Sequence, residues 1–405
     1  MFDNINDTLN FILNSHSGTA GFASLEIILK KYNNFHKSLK TIHITGTNGK
    51  GSTSKMISDI LHKANYKVAL FTSPHMVVAN DRIRINGKNI SDQDLIHYVN
   101  FFYPEIIEHK LNFFQIYVLV ALKYFYDNKV DLSVIEVGIG GRLDATNVIN
   151  SLISIITNIN YDHTEKLGSD LKEIAFEKAG IIKSNNTTIT MIQEKELLEI
   201  LRKQVTLNKA DLIALKPSPY KLKGDKLDFE FNNKIYTLNS KAFYQVANAE
   251  VAITAINVLN QKYGYNISEE AILDGLNDFT FIGRFEKVRS NPNIILDGAH
   301  NMAGIEALIK SSNHHQKYVV IFSALKDKDY KAMLGLLKDN FKEVVFCEFD
   351  FYRGLNEADL DELSVKRFSE FSLALDYLTN KYPGYDILVC GSLYFISEIR
   401  KTLVT

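Results

Sequence analysis

Lys50 stands among three glycines, Gly46, Gly49 and Gly51, with Ser52 and Thr53 directly after it. The apolar alternation Thr41–Thr45 precedes this turn and a helix-compatible run, Ser52 to Lys63, follows. Strand, glycine loop and helix in that order make a phosphate cradle. The N–H groups of Gly49, Lys50 and Gly51 can turn inward because glycine tolerates positive φ, and a helix N-terminus favours negative charge. Lys50 would bring a point charge to a β- or γ-phosphate, and Ser52 or Thr53 a hydroxyl to magnesium. The spacing departs from G-x-x-x-x-G-K-[ST], since Ile44 stands where the first glycine would be. An ATP-type phosphate site is the expectation; a glycine-rich turn that binds nothing is the alternative.

Further chemistry-bearing residues follow predicted strands. In a doubly wound sheet ligands bind beyond the carboxyl ends of the strands. Ser73, Glu136 and His163 fall at such positions, and a hydroxyl, a carboxylate and an imidazole suit one or two Mg²⁺ ions on the phosphates of ATP. Glu136, flanked by Val134, Ile135 and Val137, must be paired or metal-bound if buried. A salt bridge to Arg142 is its other reading. Lys178, near a helix end, would by spacing alone complement the helix dipole and stay solvated. Asp297 and His300 occupy a loop after a later strand. Arg284, next to Gly283, could clamp phosphate or make an interdomain salt bridge.

The elements that must position these residues alternate. Strands are expected at 67–71, 131–137, 152–158, 187–192 and 211–215, with helices at 113–127, 170–179, 194–208 and 246–261 between or after them. A helix from Asp92 runs towards Ile107, and Gly180 reads as a C′ glycine. Hairpins are expected around Asn86-Gly87 and Asn232-Asn233. Residues 5–35 read as two short helices broken at Ser15–Gly21. Such alternation argues for a largely parallel sheet with helices on both faces. Near Asn291-Pro292-Asn293 a smaller α/β unit begins, placing a boundary in 284–292 and domains at 1–288 and 289–405. The 405 residues suffice for two such cores.

Bulk composition excludes several classes. Hydrophobic residues make up 46% and charged residues 23%, as in ordinary globular proteins. A net charge of -1 argues against nucleic-acid binding driven by counterion release. No run of eighteen apolar residues predicts a membrane span, and no signal peptide is evident. Cys347 and Cys390 read as buried thiols in a reducing compartment, so a cytoplasmic protein, taken as a monomer, is expected.

Taken together in order, the motifs resemble one family. Gly46-Thr47-Asn48-Gly49-Lys50-Gly51-Ser52, Ser73-Pro74-His75, Glu136 to Asn147, Asp162-His163-Thr164, Glu177 to Ile181, Gly283-Arg284-Phe285-Glu286, Asp297 to Asn301 and Gly391 to Tyr394 are similar to folylpolyglutamate synthase/dihydrofolate synthase, the folate branch of the Mur ligases. The resemblance implies a P-loop doubly wound, mostly parallel α/β sheet with a second, smaller Rossmann-like α/β domain. It implies an ATP-dependent ligase that adds L-glutamate to dihydropteroate or to folate through an acyl phosphate, in folate biosynthesis and polyglutamylation.

By the same resemblance, Asn48, Gly49, Lys50, Gly51 and Ser52 cradle ATP, with Asn248, Arg284, Asp297 and His300 as further nucleotide contacts. Ser73, Glu136 and His163 are the magnesium ligands, and Lys50, Lys178 and His163 the catalytic groups. Lys178 matches a lysine the family carbamylates. Asn112, Phe113, Phe114, Arg142, Leu143 and Asp144 match segments lining the pterin site. Three stretches depart from the family pattern: Gln115 replaces a common glutamate, Ala242 to Gln245 differs from a glycine- and histidine-containing version, and Gly21 to Ser24 matches poorly. These bear on substrate preference. Three competing readings are a peptidoglycan Mur ligase, which needs a larger N-terminal domain than residues 1–40 supply, an NTPase switch without ligase activity, and a non-catalytic folate-binding relic.

Overall fold

A computed structural model of the chain describes residues 1–15, 22–312, 317–360 and 364–404. Most of the expected break at Ser15–Gly21 lies outside the described residues. The chain gathers into two compact units. One holds Met1–Pro219, Asp228–Leu238 and Val246–Phe279; the other holds Tyr220–Leu227, Asn239–Gln245 and Thr280–Thr405. The main transition thus falls at Phe279–Thr280, a little before the 288/289 boundary expected, and two earlier segments go with the second unit.

In the first unit the described strands are β1 (Thr41–Thr45), β2 (Val68–Phe71), β3 (Ile83–Ile85), β4 (Lys88–Asn89), β5 (Leu132–Glu136), β6 (Ile153–Ile156), β7 (Thr187–Thr190) and β8 (Asp211–Ala214). They form one sheet in the order β4-β3-β2-β5-β1-β6-β7-β8. Pairing is parallel from β2 through β8 and antiparallel at β2–β3 and β3–β4. Every residue of β1, β2, β5, β6 and β7 is buried, as a parallel sheet covered on both faces requires. β1 lies between β5 and β6, with Ile44 level with Glu136 and Thr45 level with Ile156. Chain order reverses at this point, and the residues after these three strands share one edge.

Local chemistry explains the connections. The hairpin β3–β4 turns at Asn86 (φ 49°) and Gly87 (φ 75°), and β10 (Lys226–Phe231) meets β11 (Lys234–Leu238) through Asn232 and Asn233, both at positive φ. The helix expected from 92 towards 107 is two helices, Asp92–Phe101 and Tyr103–Glu108. Pro104 cannot donate an internal helix hydrogen bond, so it starts a new helix instead. Helix Phe113–Asp127 is buried along most of its length and packs with Leu25, Ile28, Leu95, Val99 and Phe102 in the main core.

The second unit carries β9 (Tyr220–Lys223) and a mostly parallel sheet of β12 (Glu286–Arg289), β13 (Ile294–Leu296), β14 (Tyr318–Phe322), β15 (Val344–Cys347), β16 (Lys366–Phe368) and β17 (Asp386–Cys390), in the order β12-β13-β17-β14-β15-β16. Only the β12–β13 pair is antiparallel among its described pairs. Its core is separate, built around Ile305, Leu308, Val320, Phe322, Met333 and Phe346. Both thiols are buried and unpaired. Burial pushes Cys347 up to about 12 and Cys390 well above its usual range, so neither is a nucleophile.

Candidate functional site

The glycine loop leaves β1 and enters helix Lys50–Lys63. Gly49 caps that helix at φ 85°, and a Cβ there would lie 2.3 Å from Asn248 Oδ1. Only glycine permits both the left-handed backbone and the approach of Asn248. At Gly46 a side chain would strike Thr157 Oγ1. The loop is tied down from β6: Asn158 Oδ1 accepts Asn48 N at 2.9 Å, Asn158 Nδ2 donates to Asn48 O at 3.0 Å, and Thr157 Oγ1 donates to the same carbonyl at 2.6 Å. Asn160 N donates to Thr47 Oγ1 at 3.0 Å. Lys50 Nζ lies over the loop, donating to Gly46 O at 3.0 Å and Thr47 O at 3.2 Å. The cradle is therefore preformed, and Asn248 joins it from helix Tyr244–Tyr263.

Glu136 ends β5 at 3% exposure, and its Oε2 accepts Ser73 N at 2.9 Å. Ser73 and Glu136, far apart in sequence, are thus neighbours. The alternative pairing of Glu136 with Arg142 is not made: Arg142 Nη2 lies 2.7 Å from Glu177 Oε1, and its guanidinium stacks on Phe176. Arg84 of β3 instead feels the Glu136 charge. His163 holds φ 50° beside Asp162 and Glu165, with ring-to-carboxylate distances of 4.0 and 3.7 Å. Among the described residues no group of three or more His, Cys, Asp or Glu side chains is gathered to hold a metal unaided.

Lys178 departs most from expectation by spacing. It is 3% exposed rather than solvated. Burial first, then the charge of Lys50, pull its amine down to about 7, while Asp162 pulls it up. Lys178 therefore sits within electrostatic reach of the glycine-loop lysine. Its helix, Leu171–Ala179, opens with a capping box of Asp170 and Glu173. Gly180 is not a left-handed C′ residue: its φ is -63°. A Cβ at 180 would lie 2.5 Å from Arg142 Cα, so glycine is required for close packing of this helix end on the 138–144 turn.

The two segments expected to line a pterin site do meet. The ring of Phe114 lies 2.6 Å from where a Cβ on Gly138 would be, and 5.8 Å from Phe71. Phe113 lies under the guanidinium of Arg82 at 4.8 Å. Leu143 is 56% exposed. Asp144 is different. It is buried, and its carboxylate accepts Ile139 N, Thr146 N and the Thr146 hydroxyl. It holds the turn in shape. Because the Thr146 hydroxyl donates to Asp144, it must accept from His43 Nε2 at 2.8 Å. Burial keeps that imidazole neutral. Asn112 and Gln115 form a reciprocal capping box for helix Phe113–Asp127. A cap needs only an acceptor oxygen, so the amide serves where a carboxylate would.

In the second unit Asp297 follows β13, with Arg284 and His300 nearby in the chain fold. His300 Nδ1 lies 2.8 Å from Gly298 O, and Arg284 Nη1 donates to Gly283 O at 3.0 Å. Sequence reasoning gave no role to Thr157, Asn158 and Asn160, which brace the loop, or to His43; Asp162 and Tyr244 it named only within longer stretches. The rule that ligands gather beyond strand ends could have found the β6 residues. Nothing in spacing points to His43 or Tyr244.

Fold and site define an α/β protein with a glycine-rich strand–loop–helix turn, a buried lysine and a second α/β unit. Residues 44–266 match the Mur ligase middle domain and residues 283–393 the Mur ligase glutamate ligase domain. The chain is 35% identical over 407 residues to the dihydrofolate synthase/folylpolyglutamate synthase of Bacillus subtilis, covering 95% of each protein. It superposes with a TM-score of 0.90 on the Mycobacterium tuberculosis folylpolyglutamate synthase complexed with ADP and AMPPCP, at 26% identity, covering 99% of this chain and 98% of that one. A structure of E. coli FolC in complex with DHPP and ADP gives a TM-score of 0.88 at 28% identity, over 99% of this chain and 97% of that one. The chain belongs to the Mur ligase family and to its folylpolyglutamate synthase/dihydrofolate synthase branch, a group of acid–amino-acid ligases. Among the described residues no helix is long and apolar enough to cross a membrane.

Proposed function

We propose that the protein joins L-glutamate to dihydropteroate, to a reduced folate, or to both, driven by ATP. The observation that carries this is the glycine loop, its backbone held by Thr157, Asn158 and Asn160 with Lys50 folded over it. The phosphates of ATP lie over the Asn48–Ser52 loop in this reading, with Asn248, Arg284 and His300 as further nucleotide-handling residues and Asp297 serving through the Arg284 turn that it bonds.

The substrate carboxylate attacks the γ-phosphorus, ADP leaves, and an acyl phosphate forms. The α-amino group of L-glutamate then attacks the acyl carbon, phosphate departs and the amide remains. A free carboxylate is a poor electrophile, so activation is the chemical need. Lys50 neutralises charge on the transferring phosphoryl group. Ser73, Glu136 and His163 would hold Mg²⁺, which screens the phosphate charge. Phe113, Phe114 and the Arg142–Asp144 turn would receive the pterin, the aromatic rings by contact and Asp144 by fixing the turn. Lys178 with an amine near 7 offers a neutral nitrogen to CO₂ at physiological pH. Reaction of that neutral amine would form one N–C bond, release one proton and leave a carbamate able to support a second metal ion.

The test offers purified protein ATP, Mg²⁺ and L-glutamate with dihydropteroate or a tetrahydrofolate in separate reactions. Phosphate release and product mass are followed. Pterin-dependent phosphate release with a product heavier by one glutamyl group is expected. ADP formed at the same rate without any pterin would instead mark an NTPase.

A further inference from the structure

Asp297 is 2% exposed, and its carboxylate accepts three protein donors. Oδ2 accepts the Tyr244 hydroxyl at 2.6 Å and Phe285 N at 2.9 Å, and Oδ1 accepts Ala299 N at 2.9 Å. The donors come from three separate stretches of the second unit. Gly298 N donates to Gly283 O at 2.8 Å, closing the same joint from the backbone. Phe285 holds φ 52°, a left-handed conformation uncommon for a bulky residue, and its N–H reaches Asp297 in that conformation. Arg284 is threaded through the joint: a Cβ on Gly298 would lie 2.3 Å from its Nη1.

We propose that Tyr244 is a positioning residue, its hydroxyl holding the Asp297 carboxylate as the clasp that sets the Gly283–Phe285 turn and, through it, Arg284. This rests on the proposed function, in which Arg284 acts on the nucleotide. A carboxylate so deeply buried tends to take up a proton. Burial raises Asp297; Tyr244 is the leading opposing cause, followed by the charge of Arg284 and the Ala299 and Phe285 N–H groups. The third ionisable group facing it is the Cys390 thiol, which burial and Asp297 keep protonated. Tyr244 is itself driven well above its usual range by burial and by Asp297, so its proton stays on the phenol across the working range. A phenol therefore gives the clasp a donor that does not titrate near neutrality.

The full-length protein carrying Tyr244→Phe or Tyr244→His is assayed for pterin-dependent ligation, with KM for each substrate and the pH profile of kcat/KM for ATP. For Tyr244→Phe, KM for ATP should rise about tenfold, the scale of one hydrogen bond to a charged group, with KM for L-glutamate and pterin within about twofold of wild type. The acid limb should move to higher pH, because Asp297 has lost its leading donor. Tyr244→His restores a donor and should return KM for ATP to within about threefold of wild type. A Tyr244→Phe enzyme with unchanged KM for ATP and an unchanged acid limb would overturn the proposal, as would all three KM values rising together. If Tyr244→Phe does not fold, Tyr244→His decides: near-wild-type KM for ATP supports the clasp, and a tenfold rise overturns it. Failure of the functional reading looks different, since wild type would then release phosphate without regard to pterin.

Discussion

Replacing Lys178 with methionine should remove a pH dependence of stability that a buried amine imposes. The amine is 3% exposed, and burial with the Lys50 charge draws it from 10.5 to about 7. The unfolded chain therefore binds more protons at this site between pH 7 and 10.5, and stability rises with pH across that window. Below about pH 7 both states are protonated and the penalty is complete. A depression from 10.5 to about 7 corresponds to about 5 kcal/mol. Of this, about 2 kcal/mol is relieved between pH 7 and pH 9. Methionine fills a similar volume without charge, so the variant should be the more stable protein at pH 7 and should lose its advantage as pH rises. The assay is urea unfolding followed by circular dichroism at pH 7, 8 and 9, without nucleotide and in CO₂-free buffer. Equal pH slopes for wild type and Lys178→Met would refute the reasoning, because the lysine would then be solvated or already paired.

The remaining tests address the reaction. Lys178→Ala should lower ligation by about a hundredfold, with partial return on adding acetate; near-normal activity without rescue would sink the carbamate. Glu136→Gln retains an oxygen able to accept Ser73 N, so the fold should persist while the magnesium-dependent rate collapses; an unchanged Mg²⁺ titration would place the metal elsewhere. Gly49→Ala forces a side chain into φ 85° and against Asn248 Oδ1, costing about 1–2 kcal/mol of backbone strain. KM for ATP should rise, and wild-type nucleotide affinity in this variant would argue against the cradle.

What could be read ahead from the residues was local. The strand–loop–helix at 41–63 and the hairpins at Asn86-Gly87 and Asn232-Asn233 each follow from a few neighbouring side chains. Edge placement is seen for part of the set: β2-β5-β1 adjacency brings Ser73, Glu136 and the loop to one region. Failures arose where a distant segment decides. Gly180 serves the approach of Arg142 from another turn, and no local pattern distinguishes that from a helix cap. Asp144 and Gln115 also accept backbone N–H groups within their own turns.

Lys178 shows why chemistry is harder to read than fold. At the end of a helix a lysine relieves the dipole and costs nothing when solvated. Here the neighbouring turn packs over that end, glycine at 180 lets it come close, and Arg142 pairs with the half-buried carboxylate of Glu177. Lys178 is thereby left inside, where Lys50 opposes its charge and Asp162 supports it. Three separate segments must meet before the amine is depressed. The lowered pKa belongs to their meeting, so a sequence can name the lysine by resemblance but cannot supply the cause. The cause lies in what buries it, and a substitution that loosens Gly180 against Arg142 should raise the Lys178 pKa without touching the lysine.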